Sequence, residues 1–149
     1  MLVHSSFDAE RLEPWTRGLS RWCEREPRPL AAATRRLRHL GREHAEVMAR
    51  YDVLVSPVLA HPPPLLGHLA TDAPFELAMA RILDYCPFTG IANAAGIPAL
   101  SLPLGRTQAG LPIGVQLAGR AHEEATLLAL ALELERERPW PKLAPSPRP

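Results

Sequence analysis

Phe88-Thr-Gly-Ile-Ala-Asn-Ala-Ala-Gly-Ile-Pro-Ala-Leu-Ser-Leu-Pro-Leu-Gly105, followed after a polar turn by Gly110-Leu-Pro-Ile-Gly-Val-Gln-Leu-Ala-Gly-Arg120, is the stretch on which the fold turns. Thr89 suits a helix N-cap, since its hydroxyl can accept from a free amide of the next turn. A short helix is predicted over Ile91 to Ala95. Gly96 fits a left-handed position just past its end, and Pro98 cannot extend it. Ala99 to Leu104 reads as a buried strand, with Pro98 and Pro103 marking strand ends or an edge because neither has an amide to donate. Gly105 to Gly110 is rich in turn residues. Ile113 to Ala118 reads as a second strand. Ile113, Val115 and Leu117 point one way; Gly114, Gln116 and Ala118 point the other, a small-residue face that admits a helix or another backbone.

Upstream, Glu13-Pro14 suits a helix start. Trp15, Leu19, Trp22 and Cys23 share one face of that helix and read as a core stripe. Glu24 to Arg28 is a charged, proline-ended break. Pro29 opens a longer helix whose apolar stripe runs through Leu30, Ala33, Leu37, Leu40, His44, Val47 and Tyr51. Its arginines, interleaved with glutamates, read as a solvated face rather than a phosphate patch. His44 lies on the stripe with no carboxylate or nucleophile partner in view, which favours a hydrogen-bonded boundary histidine over a proton carrier. Val53 to Val55 is a short strand ended by Ser56-Pro57. Ala60 to Gly67 is extended by its consecutive prolines. Asp72 can cap a helix with Pro74 in its first turn and Phe75, Leu77, Met79, Ile82 and Leu83 to bury. Ala121 to Arg138 is the last helix, acidic at its start and basic at its end, which suits the helix dipole. It is apolar nearly all round from Ala125 to Leu134, so it should be well buried, or covered by something this chain does not supply.

The 149 residues amount to one domain at most, and 46% apolar composition permits a core. A net charge of +1 gives no case for nucleic acid or an anionic membrane. No apolar run approaches the length of a membrane helix, and no signal peptide is visible. Cys23 and Cys86 are too few for a disulfide framework or a zinc site and read as reduced thiols in a cytoplasmic protein. His61 and His68 lack metal-ligand spacing, so no metal is expected. Met1 to Ala9 reads as a flexible leader and 141–149 as a proline-rich tail.

Taken in order, Phe88-Thr89, Asn93, Gly96-Ile-Pro98-Ala99, Ser101-Leu-Pro103 and Gly110 to Arg120 resemble the C-terminal signature of the amidase-signature hydrolases. Glu123 to Leu128, Tyr51 to Pro57, Pro62 to Gly67 and Glu137 to Trp140 are similar to flanking parts of that family, the last to amidases that include aminohexanoate-cyclic-dimer hydrolase. The resemblance covers Leu12 to Trp140. It implies an α/β fold: residues 10–140 would be the C-terminal piece of an α/β/α mixed-sheet amidase domain, with about three strands and four or five helices.

The family's chemistry, by the same resemblance, is amide hydrolysis by a Ser-Ser-Lys set with a backbone oxyanion hole and no cofactor. A serine hydroxyl needs an adjacent base, and the oxyanion needs pre-arranged donors. This chain offers neither. Lys142 is its only lysine, in the tail, and Ser5-Ser6 is its only serine pair, with no glycine around it. Ser101 reads as a packing residue of a strand. No catalytic residue is therefore assigned. The resemblance points instead to a substrate-cleft wall, with Cys86, Phe88, Thr89 and Asn93 as residues to touch a small-molecule amide. Competing roles are Thr89 as cap, Asn93 as helix–loop bonder and Phe88 as core. Tyr85-Cys86-Pro87 stands where the amidotransferases that act on glutamyl-tRNA usually have an Asp, which favours a less polar substrate. The expected partner is the missing N-terminal amidase portion, or a second copy through an exposed strand edge. The rival reading is a non-catalytic interaction or regulatory module derived from an amidase tail.

Overall fold

The computed structural model describes residues 11–25 and 27–140. The leader 1–9, the tail 141–149 with Lys142, the Ser5-Ser6 pair and the side chains of Leu30 and Arg38 lie outside the described residues. Eight elements follow in order: α1 (Pro14–Arg25), α2 (Pro27–Met48), β1 (Leu54–Pro57), α3 (Phe75–Tyr85), α4 (Gly90–Ala95), β2 (Ala99–Arg106), β3 (Pro112–Ala118) and α5 (Glu124–Glu137). The α/β class and the strand number match the sequence reading.

The strands form one sheet in the order β1-β3-β2, so the last strand is the central one. Both pairings are antiparallel. The turn joining β2 to β3 is closed by Thr107, whose N–H donates to the Leu111 carbonyl at 2.8 Å and whose hydroxyl accepts from the Leu111 N–H at 3.0 Å. Pro103 is not at a strand end. It lies within β2 where the register slips between Leu102 and Gly105, and β2 is an outer strand, so the missing amide leaves no ladder bond unmade. Ser56-Pro57 likewise belongs to β1 and pairs with Gln116 and Val115 rather than ending the strand.

The two sheet faces differ as the alternation foretold. On one, Leu102, Leu117 and Leu127 form the buried core, with Val115, Leu130, Leu134 and Trp140 packed against them. This face carries α5. On the other, Gly114, Gln116 and Ala118 leave room for α4, whose Ala92 is buried. Here α2 lies close against α4: a Cβ on Gly41 would sit 2.9 Å from the Ala95 carbonyl oxygen. The buried seam of α2 therefore runs through Gly41, His44 and Met48. Leu37, Val47 and Tyr51, expected on the stripe, are exposed. On α1, Trp15 packs against Phe75 at 5.3 Å between ring centroids, while Leu19 and Trp22 stay exposed.

Two expected caps are not made. Thr89 has helical dihedrals (φ −70°, ψ −27°) and no capping hydrogen bond, because the chain is already turning through Pro87 to Thr89. Pro74, not Asp72, occupies the N-cap of α3. Gly96 does hold the left-handed position (φ 67°) that ends α4. The last helix begins at Glu124, not Ala121, since His122 at φ 67° breaks the helical path. Only Leu127 of α5 is buried; Leu128 is 60% and Leu132 55% exposed, leaving a bare apolar flank.

Candidate functional site

The small-residue face of the sheet gathers most of the candidate residues. Phe88 lines a mostly apolar cavity of about 180 Å³ with Leu54, Ser56, Ile91, Ile97, Gln116 and Ala118. Thr89 and Asn93 line a neighbouring cavity of about 240 Å³ with Val58, Ala99, Leu100, Ser101 and Gln116. Ala92 of α4 and Gln116 of β3 form walls of both. Cys86 lines neither: it is half-buried at the end of α3, where its N–H donates to the Ile82 carbonyl at 2.8 Å. Among the described residues no charged side chain lines either cavity. The α4 turn and the strand face thus enclose neutral hydrogen-bonding groups beside an apolar hollow.

Geometry on this face is set by a few long-range anchors. Gly119, after β3, donates its N–H to the Pro98 carbonyl at 3.0 Å and accepts from His44 Nε2 at 3.1 Å. The acceptor is a carbonyl, so Nε2 carries the proton. This is the boundary role expected of His44. Arg120 then binds the end of α2: Nε donates to the Met48 carbonyl at 3.1 Å, and one terminal nitrogen reaches the Tyr51 carbonyl at 3.1 Å and Asp52 at 3.2 Å. Together they tie the exit of β3 to α2 and to the start of β2.

Other polar groups stand apart. His61 donates from Nε2 to Asp84 at 3.0 Å on the surface, tying the proline-rich loop to the end of α3. A larger cavity of about 520 Å³ lies between α1 and α3, where Arg17, Arg21 and Arg25 are mixed with Asp72 and Glu76. Mixed charge there gives no preference for one ligand sign. Among the described residues no group of three His, Cys, Asp or Glu side chains is placed to hold a metal. None of the described helices is long and apolar enough to cross a membrane.

Sequence patterning alone assigns no functional role to two polar members of the site, Gln116 and Ser56. The alternation placed Gln116 on the inward small-residue face, which was the available signal. What it could not supply was the register that sets Ser56 and Ser101 on either side of it.

An α/β segment with an antiparallel hairpin and a glycine-ended short helix has known relatives. The Amidase family model matches residues 2–128, and the chain belongs to that family. It is 39% identical over 139 residues to the amidase homologue AmiC of Mycobacterium leprae, covering 93% of this chain and 30% of that protein. It is 34% identical over 103 residues to an amidase homologue of Synechocystis, covering 69% of this chain and 20% of that one. Among solved structures, that of 6-aminohexanoate cyclic dimer hydrolase superposes with a TM-score of 0.73 at 29% identity, covering 90% of this chain and 29% of the hydrolase. The chain thus spans less than a third of the length of these relatives.

Proposed function

We propose that this chain is the C-terminal part of an amide hydrolase and supplies one wall of the substrate cleft and a portion of the sheet. The serine nucleophile, its partner serine and the lysine base would lie elsewhere in a longer polypeptide or in a docking partner. The observation that carries this reading is the sheet itself. Among the described residues β1 and β2 each pair only with β3, so both outer edges are open, in a chain matching under a third of its relatives' length. Open edges need a partner or they recruit one. The bare flank of α5 and the fully exposed Leu65 and Leu66 of the proline-rich loop point the same way.

The local chemistry agrees. A serine attacks an amide carbon only when a base takes its proton. Among the described residues no serine hydroxyl is hydrogen-bonded to a histidine; His44 is engaged by Gly119 and His61 by Asp84. Ser101 belongs to β2 as expected, but it is exposed rather than the packing residue that the sequence predicts. In the complete enzyme Phe88, Thr89 and Asn93, with Cys86 behind them, would contact a small, weakly polar amide. The serine route uses no cofactor. The free thiols of Cys23 and Cys86 suit a reducing, cytoplasmic setting.

The test is complementation. The purified chain alone should hydrolyse no amide. Produced together with the N-terminal region of Mycobacterium tuberculosis AmiC that it does not match, it should form a complex with amide turnover. A stable monomeric chain that neither joins that region nor restores turnover would refute the reading and favour a stand-alone interaction module.

A further inference from the structure

We propose that Gln116 is an amide-reading residue: with Ser56 and Ser101 it takes the neutral amide group of a small ligand whose apolar part enters the adjoining cavity beside Phe88 and Ile91. The choice of ligand rests on the amide-hydrolase reading above; the site itself rests on the following geometry. Ser56, Gln116 and Ser101 are direct partners in the antiparallel ladders, so their side chains form a row straight across the same sheet face. Gln116 is the middle member and keeps only 8% of its surface exposed. Among the described residues its side-chain amide makes no hydrogen bond, yet no fully enclosed side-chain nitrogen or oxygen lacks a partner. Both statements hold only if that amide faces open space, and it lines both cavities of this face.

An amide that reaches accessible space with no protein partner is free to exchange water for a ligand group, so this position is where such a group can bind. The cavities decide its chemistry. With no charged side chain among the described residues of either lining, a carboxylate or an ammonium would enter without a counter-charge from them. A carboxamide offers a donor and an acceptor in one plane, and the Gln side chain offers the complementary pair. Each cavity is smaller than the roughly 300 Å³ at which drug-sized pockets begin, so the ligand is small.

The test uses the full chain and ligand-detected saturation-transfer NMR with benzamide, benzoate and benzylamine. Benzamide should bind at least about tenfold more tightly than either charged analogue. A folded Gln116→Leu variant should weaken benzamide by about tenfold. Gln116→Glu should invert the order in favour of benzylamine. Should Gln116→Leu fail to fold, the three-probe comparison on the unaltered chain still decides. Equal binding of benzoate, or undiminished benzamide binding to folded Gln116→Leu, overturns the assignment. So does equal binding of N-acetylglycine N-methylamide, which would give the row to the backbone of a covering polypeptide. Binding is read without turnover, so this result and the complementation result stand or fall separately.

Discussion

Arg120 joins the stretch after β3 to the end of α2 and the turn that follows it with one side chain. Its guanidinium reaches the carbonyls of Met48 and Tyr51, the Asp52 carboxylate and, at 3.5 Å, Glu123. The exposed ion pairs contribute little on their own. The bond to the carbonyl of Met48, a residue with no exposed surface, is the most sheltered of these contacts; that carbonyl also accepts from the Tyr51 N–H at 3.2 Å, so Arg120 is one of its two donors. Arg120→Ala should lower stability by about 1–2 kcal/mol, read as a shifted urea midpoint. Arg120→Lys should recover only part, since an ammonium cannot span the fork. At Gly96, the positive φ makes Ala costly, and Gly96→Ala should destabilise by about 1 kcal/mol in the same measurement. Some of this was legible from residue types alone: Gly96 followed by Pro98 states its own conformation. Arg120 did not declare its partners, which come from residues some 70 positions away. Gln116 escaped for the same reason, because its neighbours belong to other strands.

Helix faces were legible only in part. Periodicity predicts the existence of α1, α2 and α3, but α1 runs on through Arg25 into the expected break, and α2 opens at Pro27 rather than Pro29 and ends at Met48, before Tyr51; the alternation in β3 sorts the two sheet faces correctly. It did not say which part of an apolar stripe is covered. The stripe predicted on α2 includes His44, which does lie on the seam, but also Leu37, Val47 and Tyr51, which do not; the closest approach is at Gly41, where the absence of a side chain lets α4 in. A hydropathy pattern rewards large residues and is blind to that device. The consequence can be checked. Ala is normally the better helix former by roughly 0.5–1 kcal/mol. Gly41→Ala should nevertheless destabilise, by about 1–3 kcal/mol, because the new methyl meets a backbone oxygen. Gly90→Ala, with open space around it, should be neutral or stabilising. Thermal unfolding of the two variants side by side separates crowding from propensity.

Over the molecule as a whole, burial is thin. The buried apolar set among the described residues is Met48, Ala78, Ala92, Leu102, Leu117, Ala118 and Leu127, and three of these are alanines. Against it stand exposed leucines on α5, on the proline-rich loop and on α3. The isolated chain should therefore self-associate. Light scattering after size exclusion should show oligomers, and Leu128→Glu with Leu132→Lys should shift them toward monomer without changing the circular dichroism spectrum. A monodisperse parent with a sharp cooperative melt would contradict this.

The order β1-β3-β2 also fixes a sequence of events. β2 and β3 are neighbours along the chain and can zip together through their short turn, but β1 must wait for β3, the last of the described strands in chain order. Closing that long loop is the slow step expected when contacts join distant positions. A chain interrupted before Pro112 would carry β1 with no strand of this sheet to receive it, so the final hairpin serves as the clasp that makes the earlier two-thirds of the segment worth folding.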